Sequence, residues 1–146
     1  MTSKYCIKPL EEALPQAFGD EAMFGGVPED MSGFARKGAV TAVTETGEEI
    51  VIFTNYSRAS KSGIGYRPVR HNDPNNNLKV REAARAASAA PFFFKPFFNY
   101  RTMGSYIDGA VKHNNPIRIA NNETKFLWPD VEERYPDILS VGTGYH

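Results

Sequence analysis

The chain has one cysteine, Cys6, in 146 residues, so no internal disulfide can form and a disulfide-stapled fold is excluded. This usage fits a reducing compartment, and a cytoplasmic location, peripheral to membranes at most, is expected. Long apolar runs are also missing. Met1–Pro9 has no continuous apolar core of the kind a secretory signal needs, so no export is expected. The most apolar run, Ala86–Phe98, is broken by Pro91, Lys95 and Pro96. It is shorter than the ~20 residues that span a bilayer, and no transmembrane helix is expected. The 17 basic and 17 acidic residues cancel, which removes the global field that draws a chain to nucleic acid or anionic lipid. His71, His113 and His146 are scattered, without acids or cysteines at ligand spacing, so no metal is expected. Gly142-Thr143-Gly144 lacks the Gly-X-X-X-X-Gly-Lys context of a phosphate loop, and no cofactor is expected.

What remains suits one globular domain. Apolar residues make up 41% of the chain, with 10 Phe and 7 Tyr, which is too rich in aromatics for disorder. A chain of this length buries roughly 68–70% of its unfolded surface. The run Phe92-Phe93-Phe94-Lys95-Pro96-Phe97-Phe98 is expected in the core, since aromatics fill cores more often than they bind ligands. An acyl-chain pocket or a membrane contact is the alternative. Arg58, Lys61, Arg67 and Arg70 are expected on a solvated loop, lipid phosphate being the other use of such charges.

Leu10, Leu14, Ala17 and Phe18 recur at helical spacing up to Gly19 and predict a first helix interrupted by Pro15. Ala39–Thr44 and Glu49–Thr54 are β-branched runs separated by a short turn, the pattern of two neighbouring strands. Gly25–Gly38 and Asn55–Asn77 are expected as loops. A helix capped by Asn77 is expected over Leu78–Ala90, its alanines allowing close docking on a sheet, with Pro91 ending it. Tyr106-Ile107 predicts the end of a strand, with Gly109 turning the backbone beyond Asp108. A helix capped by Asn114 or Asn115 is expected from Pro116 to Trp128, and a last strand over Ile138–Val141.

Asp108 is the residue with chemical promise, a carboxylate where a strand gives way to a helix. Taken alone, Asp-Gly is a common turn, and a purely local role is the plain reading. Three blocks change its context. Ala83–Phe93 (Ala-Ala-Arg-Ala-Ala-Ser-Ala-Ala-Pro-Phe-Phe), Tyr106-Ile107-Asp108-Gly109-Ala110 with Asn114-Asn115-Pro116, and Ile138–Gly144 together resemble the patatin-like phospholipase family in order and spacing. The similarity is particularly close to its fungal members. It runs from Tyr5 to Gly144, as the second half of that domain.

The resemblance implies an α/β fold, three-layered, with a mostly parallel sheet flanked by helices. It also implies a lipid acyl hydrolase, of phospholipase or lysophospholipase type, that uses a serine–aspartate dyad without histidine. Asp108 matches the family's aspartate as base, with Gly109 and Ala110 expected to leave room for a lipid or acyl-ester substrate. A partly desolvated carboxylate can take the proton from a serine hydroxyl as it attacks an ester.

The nucleophile elbow of such an enzyme needs glycine two residues before and after its serine. Ser62, Ser88 and Ser105 have it on neither side, and Ser140 has it only at Gly142. A glycine-rich oxyanion loop is also lacking, and Gly25-Gly26-Val27-Pro28 is a poor substitute because Pro28 has no N–H to donate. Residues 1–146 are therefore expected to be a partial domain, inactive alone, whose serine-bearing half precedes Met1. A non-catalytic interaction module built on the same fold segment is the alternative. Strands deprived of neighbours would leave sheet edges prone to self-association.

Overall fold

The computed structural model describes residues 3–23, 37–58, 63–69, 77–129 and 139–140. Two compact units divide the chain at Asn114 and Asn115. The first holds α1 (Lys8–Phe18), β1 (Ala39–Thr44), β2 (Ile50–Thr54), β3 (Tyr66–Pro68), α2 (Val80–Ala87), β4 (Phe97–Asn99), β5 (Gly104–Asp108) and the short α3 (Ala110–His113). The second holds α4 (Ile117–Leu127), where Asn115 Oδ1 accepts the Ile117 N–H at 3.1 Å. Of the strand expected at Ile138–Val141 only Leu139 and Ser140 fall within the described residues. The Gly142-Thr143-Gly144 turn and most of the Gly25–Gly38 loop lie outside them.

The five strands form one sheet in the order β3-β2-β1-β5-β4. The α/β class is as expected, but the sheet is mostly antiparallel, not mostly parallel. β1 pairs antiparallel with both β2 and β5, β4 pairs antiparallel with β5, and only β2 and β3 run parallel. Chain connectivity explains the difference. Gly47, at φ 76°, closes a tight reversal between β1 and β2, and Tyr100–Met103 closes another between β4 and β5. A short turn can join only antiparallel neighbours. β3 also departs from expectation, since it lies inside the stretch expected as a loop. Its Val69 continues the pairing by donating its N–H to the Ile52 carbonyl at 2.9 Å.

Alternation along β1 and β2 fills both faces of the sheet centre. Ala42, Val51 and Phe53 join Val69, Leu78, Ala83, Ala86 and Tyr106 in one cluster, with Phe53 and Tyr106 edge to face at 5.1 Å. Val43 and Ile52, on the opposite face, are fully buried too. Burying one such side chain contributes about 1.5–3 kcal/mol, which makes this strand pair the anchor of the unit. α2 packs on β1, β4 and β5, and α1 packs on α2. Glu82 Oε2 accepts the Lys79 N–H at 2.8 Å and starts α2 two residues later than expected.

Candidate functional site

Asp108 is the last residue of β5 and stands opposite Ala42 of β1. Its N–H donates to the Ala89 carbonyl at 3.0 Å, so the segment just beyond α2 holds the strand end. The alanines of α2 make that approach possible. Ala83 and Ala86 are buried against the sheet, and side chains of this size let a helix backbone come close. Arg85 locks the same helix. Its Nε donates to Glu11 Oε1 at 3.4 Å, its Nη2 to the Lys95 carbonyl at 3.1 Å, and its guanidinium lies over the Phe97 ring. Burial pulls the Arg85 pKa below its ordinary value, and the hydrogen bond and charge of Glu11 oppose that.

The turn after Asp108 works differently from the expectation. Gly109 has φ −62° and ψ −23°, ordinary helical values that any residue adopts. Space is the reason for glycine: a Cβ there would stand 2.6 Å from Thr41 Oγ1 and 2.7 Å from the Thr41 carbonyl oxygen. The missing side chain therefore makes room for β1, not for a substrate. Asp108 Oδ1 accepts the Ala110 N–H at 2.8 Å and starts α3. Among the described residues Oδ2 has no hydrogen-bond partner. The half-buried carboxylate thus commits one oxygen to the turn and leaves the other without a protein partner among the described residues.

No serine hydroxyl bonds to Asp108 among the described residues. Ser88 Oγ donates to the Ala84 carbonyl at 2.8 Å, within its own helix. Ser105 lies three residues before Asp108 on β5, an odd offset that sends the two side chains to opposite faces. Ser140 accepts from Asn115 Nδ2 at 3.4 Å within the second unit. Ser62 and Gly25-Gly26-Val27-Pro28 lie outside the described residues. Among these residues, too, no helix is long and apolar enough to cross a membrane.

A cleft of about 550 Å³ opens at the other end of β5, where Thr44, Arg67, Thr102, Ser105 and Tyr106 contribute to its lining. Asp108 is not part of it, and four steps along the strand, about 13 Å, separate Asp108 from Gly104. Sequence reading missed Ala89 and Thr41 as supports of Asp108. The alanine run signals close docking but not which carbonyl meets the strand, and Thr41 carries no signal beyond its strand.

A family model described as patatin-like phospholipase matches residues 32–121, which include Asp108 and stop short of the Ile138–Gly144 block. Among curated proteins, human calcium-independent phospholipase A2-gamma is 41% identical over 68 residues, 45% of this chain and 8% of that protein. Phospholipase A I of Arabidopsis thaliana is 38% identical over 68 residues, 45% of this chain and 5% of that protein. The rat calcium-independent phospholipase A2-gamma is 30% identical over 110 residues, 73% of this chain and 13% of that protein. The chain thus corresponds to a small part of each relative. With the family match running through the β1–β2 hairpin, α2 and the strand that ends in Asp108, the chain belongs to the patatin-like phospholipase family.

Proposed function

We propose that the chain is the base-bearing second half of a lipid acyl hydrolase domain that works through a serine–aspartate dyad, with Asp108 as the base. The observation that carries this reading is a half-buried carboxylate at a strand end, inside the family match, with one oxygen free of protein partners among the described residues. A serine hydroxyl supplied by the other half would donate to that oxygen. As the proton passes to Asp108, the serine oxygen bonds to the acyl carbon, and the leaving alcohol takes the proton back. Water then releases the fatty acid and restores the serine.

The relatives' names point to phospholipid or lysophospholipid esters as the substrate class. Chain 1–146 alone lacks a serine in the required turn, so it is inactive by itself. The location that goes with this role is cytoplasmic and peripheral to membranes, and the sheet margin at β3 is where self-association would occur. Fatty-acid release from lysophosphatidylcholine tests the reading. The chain alone should release none, and the chain joined to a serine-bearing half should release it until Asp108→Asn is introduced. Hydrolysis by the chain alone, abolished by Asp108→Ala, would refute it.

A further inference from the structure

Six large hydrophobic side chains stand exposed around one stretch of the first unit: Tyr5, Phe92, Phe93, Phe98, Tyr100 and Met103. The core expectation for Phe92–Phe98 therefore fails in part, with Phe97 turned toward the core and Phe92, Phe93 and Phe98 in water. These side chains are held outward by the fold. Tyr5 stacks on Phe93 at 5.9 Å, and the Lys4 and Tyr5 N–H groups donate to the Phe92 and Phe93 carbonyls. Phe98 and Tyr100 meet edge to face at 5.0 Å. Buried Asn99 fixes the hairpin that carries them, its Oδ1 accepting the Arg101 and Thr102 N–H groups at 3.0 Å each. Phe92 (φ 70°) and Met103 (φ 50°) both sit in the left-handed region, which is costly for a residue with a side chain, yet their side chains are 69% and 73% exposed.

Charge identifies what such a surface fits. The chain as a whole is neutral, but residues 83–107 contain no acid. Their charged residues are Arg85, which is buried, and Lys95 and Arg101, which are exposed. Lys4 adds a third exposed cation, with Nζ 5.4 Å from the Tyr5 ring and 5.6 Å from the Phe93 ring. Aromatic rings beside these exposed cations, with the nearby acid of Glu11 already paired to Arg85, match a bilayer interface with acidic headgroups. A second copy of the chain would bring the same positive charges face to face.

We propose that Phe92–Met103, with Lys4 and Tyr5 beside it, is a docking surface for an anionic lipid bilayer. It deepens the lipid-directed reading above and rests on it for its biological sense, but it is measured by binding rather than turnover. The test is co-sedimentation of the purified chain with vesicles of phosphatidylcholine alone and of phosphatidylcholine mixed with phosphatidylserine. The chain should pellet with the mixed vesicles and far less with phosphatidylcholine. Lys95→Gln and Arg101→Gln should each weaken binding about fivefold. Phe98→Ser with Tyr100→Ser should weaken it about tenfold or more.

Equal binding to both vesicle types, unchanged binding by these variants, or no pelleting at all would overturn the proposal. So would lipid-free self-association that the same variants abolish, which would assign the surface to a second copy. Should the aromatic double variant fail to fold, the two charge variants keep the test decisive. Binding without fatty-acid release by the joined domain would sink the hydrolase reading alone. Release of acid from a dispersed short-chain ester by a joined domain that ignores vesicles would sink only this proposal.

Discussion

The two ends of β5 are built on opposite plans. At Gly104 the strand enters from a hairpin that side chains hold from within. Asn99 Oδ1 gathers the Arg101 and Thr102 N–H groups and the Thr102 hydroxyl, and the Tyr106 hydroxyl donates to Thr102 Oγ1 at 2.9 Å. At Asp108 the strand leaves on main-chain contacts: the Ala89 carbonyl on one side and the Thr41 backbone against Gly109 on the other. The polar groups of the first end are consumed by structure, whereas the carboxylate of the second is positioned by its backbone and half unused. The oxygen that the turn leaves over is the one the proposed dyad would use. The cleft lies beside the first end and does not include Asp108, which stands at the far end of the strand.

The comparison breaks most visibly in turnover. In a domain joined to its serine half, Asp108→Asn should lower the rate of fatty-acid release by about 100- to 10,000-fold, the range of a lost general base. The same change should alter stability by less than about 0.5 kcal/mol, because the amide oxygen still accepts the Ala110 N–H. A comparable stability loss at Asp108 and at Asn99 would erase the distinction between the two ends.

Urea unfolding of the isolated chain probes the hairpin end. Asn99→Ala strands donors at a site that is 2% exposed and should cost about 3 kcal/mol. Gly109→Ala follows at about 2 kcal/mol, since the new Cβ meets the Thr41 main chain, which cannot swing aside. Gly104→Ala meets the Tyr106 ring instead, a side chain able to shift by giving up its bond to Thr102. It should cost less than Gly109→Ala, and the reverse order would show that the Asp108 end is the looser of the two. Tyr106→Phe, which removes that one hydroxyl, should cost about 1 kcal/mol.

The β1–β2 hairpin was legible because β-branched runs on either side of Gly47 are a local pattern. β3 was not, because Tyr66-Arg67-Pro68 has no period of its own and becomes a strand only by lying beside β2. Sheet direction is where the family resemblance misleads: the one short turn legible in the sequence, Glu45–Glu48, joins an antiparallel pair, and the second, Tyr100–Met103, comes with β4, which only the structure shows. The aromatic run hid its faces for a related reason: with phenylalanine at nearly every position, no alternation says which rings turn inward. β4 decides it by pairing Phe97 with Tyr106 and Phe98 with Ser105.

By itself the sequence determined the α/β class, the family, the place of Asp108 where strand becomes helix and the want of a serine in the required turn. All of these rest on local patterns or on residue identity. Only the tertiary structure decided that Gly109 is glycine because β1 leaves no room for a Cβ, that Ala89 fixes the height of the carboxylate, and that half of an apolar run faces water. Each of these depends on contacts between segments distant in the chain, whose distances and directions no local pattern encodes.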